Sequence, residues 1–197
     1  MKKIPTLFVR DFDTGLLTPE VTPGCEWVTE GEGVATRKWD GSCCLLDKAS
    51  NWWRRYDAKH GKTPPPEFRP AQPEADPITG HWPGWVPIDD SPACKYHKEA
   101  IEFGRRDGEF VCDWTYELCG PKVGKNPEGF PAHRMIRHGQ DLVFPLDTTF
   151  GGLREFFEGP GADIEGIVWW SKGLVPTMCK IKLKDFGLRR RPKEIVI

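Results

Sequence analysis

Val34-Ala35-Thr36-Arg37-Lys38-Trp39-Asp40-Gly41-Ser42-Cys43-Cys44-Leu45-Leu46 is the stretch on which the fold turns. Val34-Ala35-Thr36 alternates as a strand does, and Cys43-Cys44-Leu45-Leu46 continues as a second one. Asp40-Gly41 between them is the pair that favours a tight hairpin turn with positive φ. Such a hairpin projects Lys38 from a fixed edge, and a rigidly held amine is a candidate nucleophile. A lysine beside an Asp-Gly turn is also common on solvated surfaces, so the rest of the chain must decide.

Outward from this stretch, strands are expected at 4–9, 26–47 (the hairpin region), 52–56, 110–118, 141–144, 164–170 and 178–183. Helices are expected at 96–106, from apolar spacing, and from a Thr149 cap to Phe157. Between 63 and 92 lie nine prolines, with five acids against one arginine; this reads as a surface excursion without regular structure. Strands without regular helical crossovers predict an α+β class, mostly antiparallel. The 197 residues suit one domain, 1–197, with one core and a basic C-terminal tail at 184–197.

No apolar run approaches the length of a membrane span, and no secretory signal follows Met1. Seven cysteines without a paired Cys-x-x-Cys pattern read as reduced core thiols in a reducing compartment; with the absence of an apolar span, the expectation is a soluble, cytoplasmic protein that does not engage membranes, and a monomer is expected. A net charge of −1 carries no global polyanion signature, yet from Lys172 to Lys193 eight basic residues face Asp185 alone. Gly120 to Asn126 has the wrong spacing and ending for a P-loop, and Asp185-Phe186-Gly187 lacks the kinase context that would give it meaning. His133 and His138 are not spaced as zincin ligands and read as surface residues.

Four short elements follow one another: Lys38-Trp39-Asp40-Gly41, Tyr116-Glu117-Leu118-Cys119-Gly120, Glu165-Gly166-Ile167-Val168 and Lys180-Ile181-Lys182. Their order resembles the collinear motifs of the covalent nucleotidyltransferases, the superfamily of ATP-dependent DNA and RNA ligases and messenger RNA capping enzymes. Gly31 to Thr36, Ser42-Cys43-Cys44, Tyr116-Glu117-Leu118 and Asn126-Pro127 resemble most a group of small 5′-to-3′ RNA ligases. The resemblance implies a ligase adenylation domain, here without room for an OB-fold after Lys184. It also implies ATP and Mg2+, with Mn2+ as a substitute, and RNA bearing 5′-phosphate and 3′-hydroxyl ends as partner. A guanylyltransferase, a DNA ligase-like enzyme and a non-catalytic RNA-binding module on the same fold are the alternatives.

The residue types have a chemical logic. A lysine attacks phosphorus only as the neutral amine, and a reference pKa of about 10.4 leaves about one amine in a few thousand neutral at pH 7. Lys180 and Lys182, two apart on a strand, share a face and would repel the Lys38 proton while gripping the α-phosphate. Lys38, Lys180 and Lys182 are therefore the expected catalytic residues. Thr36, Arg37, Asp40, Gly41, Arg55, Glu117 and Glu165 are expected around the nucleotide, with Glu117 on the ribose hydroxyls by resemblance. Asp40 and Glu165 are the candidate metal ligands, and Gly166 is read as leaving space for a phosphate. Arg54 competes with Arg55 as the clamp and joins Lys122, Lys125, Arg189 and Arg190 as a candidate RNA contact.

Overall fold

The structure, a computed structural model, describes residues 3–77, 79–108, 110–144, 147–173 and 176–192. In chain order the elements are β1 (Phe8–Arg10), β2 (Leu17–Val21), α1 (Glu26–Thr29), β3 (Val34–Lys38), β4 (Ser42–Leu46), β5 (Trp52–Ala58), β6 (Arg69–Pro70) and β7 (Trp82–Pro87). Then follow α2 (Lys95–Asp107), β8 (Trp114–Cys119), β9 (Arg134–Arg137), α3 (Phe150–Glu158), β10 (Gly166–Trp170) and β11 (Met178–Lys182). The strands form sheets of order β1-β2, β11-β10-β3 and β6-β7-β5-β4-β8-β9, with antiparallel pairing throughout these ladders. The protein is thus α+β and mostly antiparallel. Among the described residues, no helix is long and apolar enough to cross a membrane.

The chain divides into two compact units. The first contains Asp40–His138; the second contains Ile4–Trp39 and Gly139–Ile197. Among the described residues two hydrophobic clusters are found, one in each unit, where chain length predicts one core. In the first unit, Ala100 and Ile101 of α2 pack on Cys44, Leu46, Trp52, Tyr116, Leu118 and Met135 of the six-stranded sheet. In the second, Leu153 and Phe157, one turn apart on α3, join Leu7, Phe8, Ile167, Trp169, Ile181 and Phe186. Thr149 caps α3 as expected, its hydroxyl accepting from the Gly152 amide at 3.1 Å.

The expected hairpin is not formed. β3 pairs with β10, whereas β4 pairs with β5 and β8. The physical reason lies in β10: Ile167, Val168 and Trp169 are all buried, so this strand carries apolar side chains on both faces and sits centrally, with a neighbour on each edge. Gly41 does not adopt positive φ. A Cβ at that position would stand 2.1 Å from the Leu118 carbonyl oxygen, so what the position demands is space.

The proline-rich segment also departs from expectation, because β6 and β7 lie within it and β7 is an internal strand. Ile88 donates to the Trp52 carbonyl, while the Pro83 carbonyl accepts from Ala71. Pro83 and Pro87 share a parity on β7 and turn their nitrogens away from β5, toward the side where β6 pairs only with Gly84 and Trp85. A missing N–H is tolerated there. Residues 141–144 are not one of the strands above but run along β3, with an isolated antiparallel bridge from Leu142 to Thr36 and backbone bonds from the Arg37 amide to the Asp141 carbonyl and from the Val143 amide to the Ala35 carbonyl. The basic tail expected at 184–197 is described to Pro192, and its last five residues lie outside the described range.

Candidate functional site

The second unit carries the lysines. Antiparallel register sets Lys38, Gly166 and Lys182 abreast on β3, β10 and β11, and sets Thr36, Val168 and Lys180 abreast one pair further along the same face. Ile167, Trp169, Cys179 and Ile181 take the opposite face, into the core. A Cβ on Gly166 would lie 2.2 Å from the Ile181 carbonyl oxygen. The neighbouring strand, rather than a phosphate, therefore already accounts for this glycine. Glu165 lies just before β10, and its two oxygens reach the Nζ atoms of Lys38 at 2.5 Å and of Lys182 at 2.6 Å.

Burial of this carboxylate raises its pKa, but Lys38 and then Lys182 outweigh that effect and hold it below the ordinary value. The pKa of Lys180 is pushed down to about 8, chiefly by burial and then by repulsion from Lys182 and Lys38; Asp185 and Glu165 oppose the shift. The expected field is thus felt at Lys180, while Lys38 has a carboxylate against it. An amine in such a pair is an ammonium and carries no lone pair. Attack by Lys38 requires that its proton leave and that the contact with Glu165 open.

Lys180 yields a signed prediction. Its charge is a burden on the fold below pH 8, and the burden lifts between about 8 and 10.5, where the unfolded chain still holds the proton that the folded protein has lost. Partial exposure screens the effect, so Lys180→Met should stabilise the protein at pH 7 by about 1–2 kcal/mol. The gain should vanish above pH 10.5, the ordinary lysine value. Urea unfolding across this range measures it, and a variant less stable than the parent at pH 7 would contradict it.

Other expected site residues in this unit are engaged elsewhere. Thr36 is buried; its hydroxyl donates to the Val168 carbonyl at 3.0 Å and accepts from the Trp170 indole at 2.9 Å. Arg37 lies over the Trp39 ring at 4.2 Å. Arg190 donates through Nε to the Asp163 carbonyl at 2.6 Å, and Arg191 donates to the Glu158 carbonyl at the end of α3. Part of the basic segment therefore satisfies carbonyls beside a helix C-terminus; Arg189 is exposed. Asp185 is buried, accepts from the Lys182 amide and pairs with Arg10 at 2.6 Å, which gives the kinase-like triplet a structural role.

The first unit holds a second group. Cys43 and Glu117 are directly opposed on β4 and β8. Glu117 is buried, with Oε1 accepting from the Gly41 amide at 3.1 Å and Oε2 lying 2.9 Å from Nε2 of His138. Nδ1 of His138 is 2.9 Å from the Thr115 hydroxyl. His133 is buried, stacked on Tyr96 and paired with Glu99, and His138 is half-buried, so neither histidine is the surface residue expected from sequence. Strand alternation separates the competing arginines. Arg54 shares the α2-covered face with Cys44, whereas Arg55 shares the face of Cys43 and Glu117, where it pairs with Asp57. The Asp40 amide donates to buried Glu128, a residue the sequence reading missed. Lys122 and Lys125 are exposed on the loop between β8 and β9.

For a divalent cation in the second unit, Glu165 offers hard oxygen donors, but both oxygens already hold ammonium groups. A cation there would take Glu165 as ligand and its remaining donors from outside this unit; Asp40, the other expected ligand, belongs to the first unit. Comparison of the chain with protein-family models and with curated proteins gives no match.

Proposed function

We propose that this protein is an ATP-dependent RNA ligase built on a nucleotidyltransferase fold. The observation that supports this reading is Glu165 held between Lys38 and Lys182, with Lys180 on the same sheet face. Once its proton has left, the Lys38 amine attacks the α-phosphorus of ATP; a P–N bond forms and pyrophosphate departs with the P–O electron pair. Lys180 and Lys182 offset the charge that builds on the phosphoryl oxygens. The RNA 5′-phosphate then takes the AMP, and a 3′-hydroxyl finally displaces it to seal the strand. Glu165 would hold a magnesium ion once an oxygen is released from its lysine, and that ion would supply charge neutralisation at the phosphates. Glu117 on the ribose and Arg55 on a phosphate enter this reading as roles the resemblance implies, and Arg55 is preferred because Arg54 lies on the α2 side.

The test is incubation with ATP labelled at the α-phosphate in the presence of Mg2+, followed by mapping of the adduct by mass spectrometry. AMP is expected on Lys38, with complete loss of label in Lys38→Ala and in Lys38→Arg, which keeps the charge but not a usable nucleophile. Label from GTP in place of ATP would make the protein a guanylyltransferase. Undiminished labelling of Lys38→Arg, or no adduct in the parent, would overturn the assignment.

A further inference from the structure

Glu117 enters the ligase reading by resemblance alone, whereas Cys43 and His138 beside it on the six-stranded sheet have no part in that reading. Cys43, Glu117 and His138 each present one donor atom, and the sulfur, oxygen and nitrogen all lie within 4.8 Å of one another. We infer that these three side chains form a binding site for a thiophilic divalent cation, zinc above all. The inference goes beyond the ligase reading and does not depend on it.

The donor set carries the choice of ion. Magnesium and calcium select oxygen alone, whereas sulfur and imidazole nitrogen together suit zinc, which also accepts a carboxylate. With bond lengths of about 2.0–2.3 Å, a tetrahedral zinc sets neighbouring donors about 3.5 Å apart. The 2.9 Å contact between Glu117 and His138 therefore has to widen by roughly half an ångström, and the Cys43 sulfur, within 4.8 Å of the other two donors, to draw in toward the same spacing, adjustments that the terminal side-chain torsions allow. Three protein ligands leave the fourth position for water or a substrate atom.

Three features hold the donors in place before any ion arrives. Cross-strand pairing fixes Cys43 against Glu117, and the Gly41 amide anchors the carboxylate through its other oxygen. The Thr115 hydroxyl sits at Nδ1 of His138, the outer-shell partner that orients a metal-bound imidazole. On binding, the Cys43 thiol gives its proton to solvent and a sulfur–metal bond forms. For Nε2 to bind the metal, the proton it holds toward the Glu117 carboxylate passes to solvent, and the ligand is the imidazole tautomer whose one proton sits on Nδ1 and is donated to the Thr115 hydroxyl. An ion there occupies Glu117, the residue to which the resemblance gives the ribose hydroxyls.

Cobalt(II) added to the full chain in chelator-free buffer is the probe, because a thiolate ligand produces a charge-transfer absorption. One equivalent is expected to develop the band, and zinc to displace it. Cys43→Ser should abolish the band, His138→Ala should weaken zinc binding roughly a hundredfold, and Thr115→Val roughly tenfold. Cys112→Ser, at an exposed thiol outside the group, should leave band and affinity as in the parent. Circular dichroism of each metal-free variant confirms folding, and His138→Ala and Thr115→Val keep the readout if Cys43→Ser does not fold. No band in the parent, a band that survives Cys43→Ser, or one lost in Cys112→Ser would overturn the site. Nucleotide takes no part in this measurement, so failure to adenylate Lys38 and failure to bind metal are separate results.

Discussion

Replacing Glu165 with glutamine is expected to lower unfolding stability at pH 7 by about 2–3 kcal/mol. The substitution keeps the shape and removes the charge, leaving the ammoniums of Lys38 and Lys182 on one sheet face with no shared carboxylate between them. All three side chains are largely shielded, with 13% exposure at Glu165 and 21% and 20% at the two lysines, so solvent compensates little. Because the folded pKa of Glu165 is depressed, its contribution is fully present above the ordinary carboxyl value of 4.5 and is lost as pH falls through the folded value. The difference between parent and variant should therefore be largest near neutrality and shrink in acid below that value. Urea midpoints at pH 7 and in acid measure it. Equal midpoints at pH 7 would show that the lysines are held by other contacts. On the ligase reading, the two amines move apart without their shared carboxylate, and label transfer should fall roughly a hundredfold.

Gly166→Ala should be at least as damaging, by about 3 kcal/mol. Its Cβ would meet backbone atoms, the Ile181 carbonyl oxygen at 2.2 Å and the Lys182 Cα at 3.0 Å, which no rotamer change can relieve. β10 and β11 must part where Lys182 stands opposite Gly166, so lysine geometry and sheet pairing are lost together. Amide hydrogen exchange should quicken along Met178–Lys182, and adenylation should fall with it. Gly151→Ala is the control: it lies in α3, a Cβ there meets nothing within 4 Å, and a gain of about 0.5–1 kcal/mol is expected. A Gly166→Ala protein with parental stability and unchanged exchange would refute this account of the strand approach.

Much of the local structure is legible in the amino-acid sequence. The spacing of Tyr96, Ala100 and Ile101 locates α2, and the Thr149 cap locates the start of α3, since both signals lie within a few residues of the element they define. The shared face of Lys180 and Lys182 likewise follows from a two-residue period. The failures have a common origin in partnership. Asp40-Gly41 looks like a hairpin turn because local signals say nothing about a competing strand far along the chain. Pro83 and Pro87 argue against a strand until the pairing shows which edge their nitrogens face. His138 looked like a surface residue because Glu117, its partner, is 21 positions away.

By itself the amino-acid sequence determined the α+β class, the two longer helices, most of the strands and the set of lysines and carboxylates worth examining, because periodicity, capping and residue chemistry are local properties. The tertiary structure alone decided that β3 pairs with β10, that Glu165 stands between lysines 127 and 17 residues away in the chain, and that Cys43, Glu117 and His138 converge on one sheet. Those outcomes depend on which distant strand can bury both faces of another and in what register, a competition among long-range pairings that no short window of sequence contains.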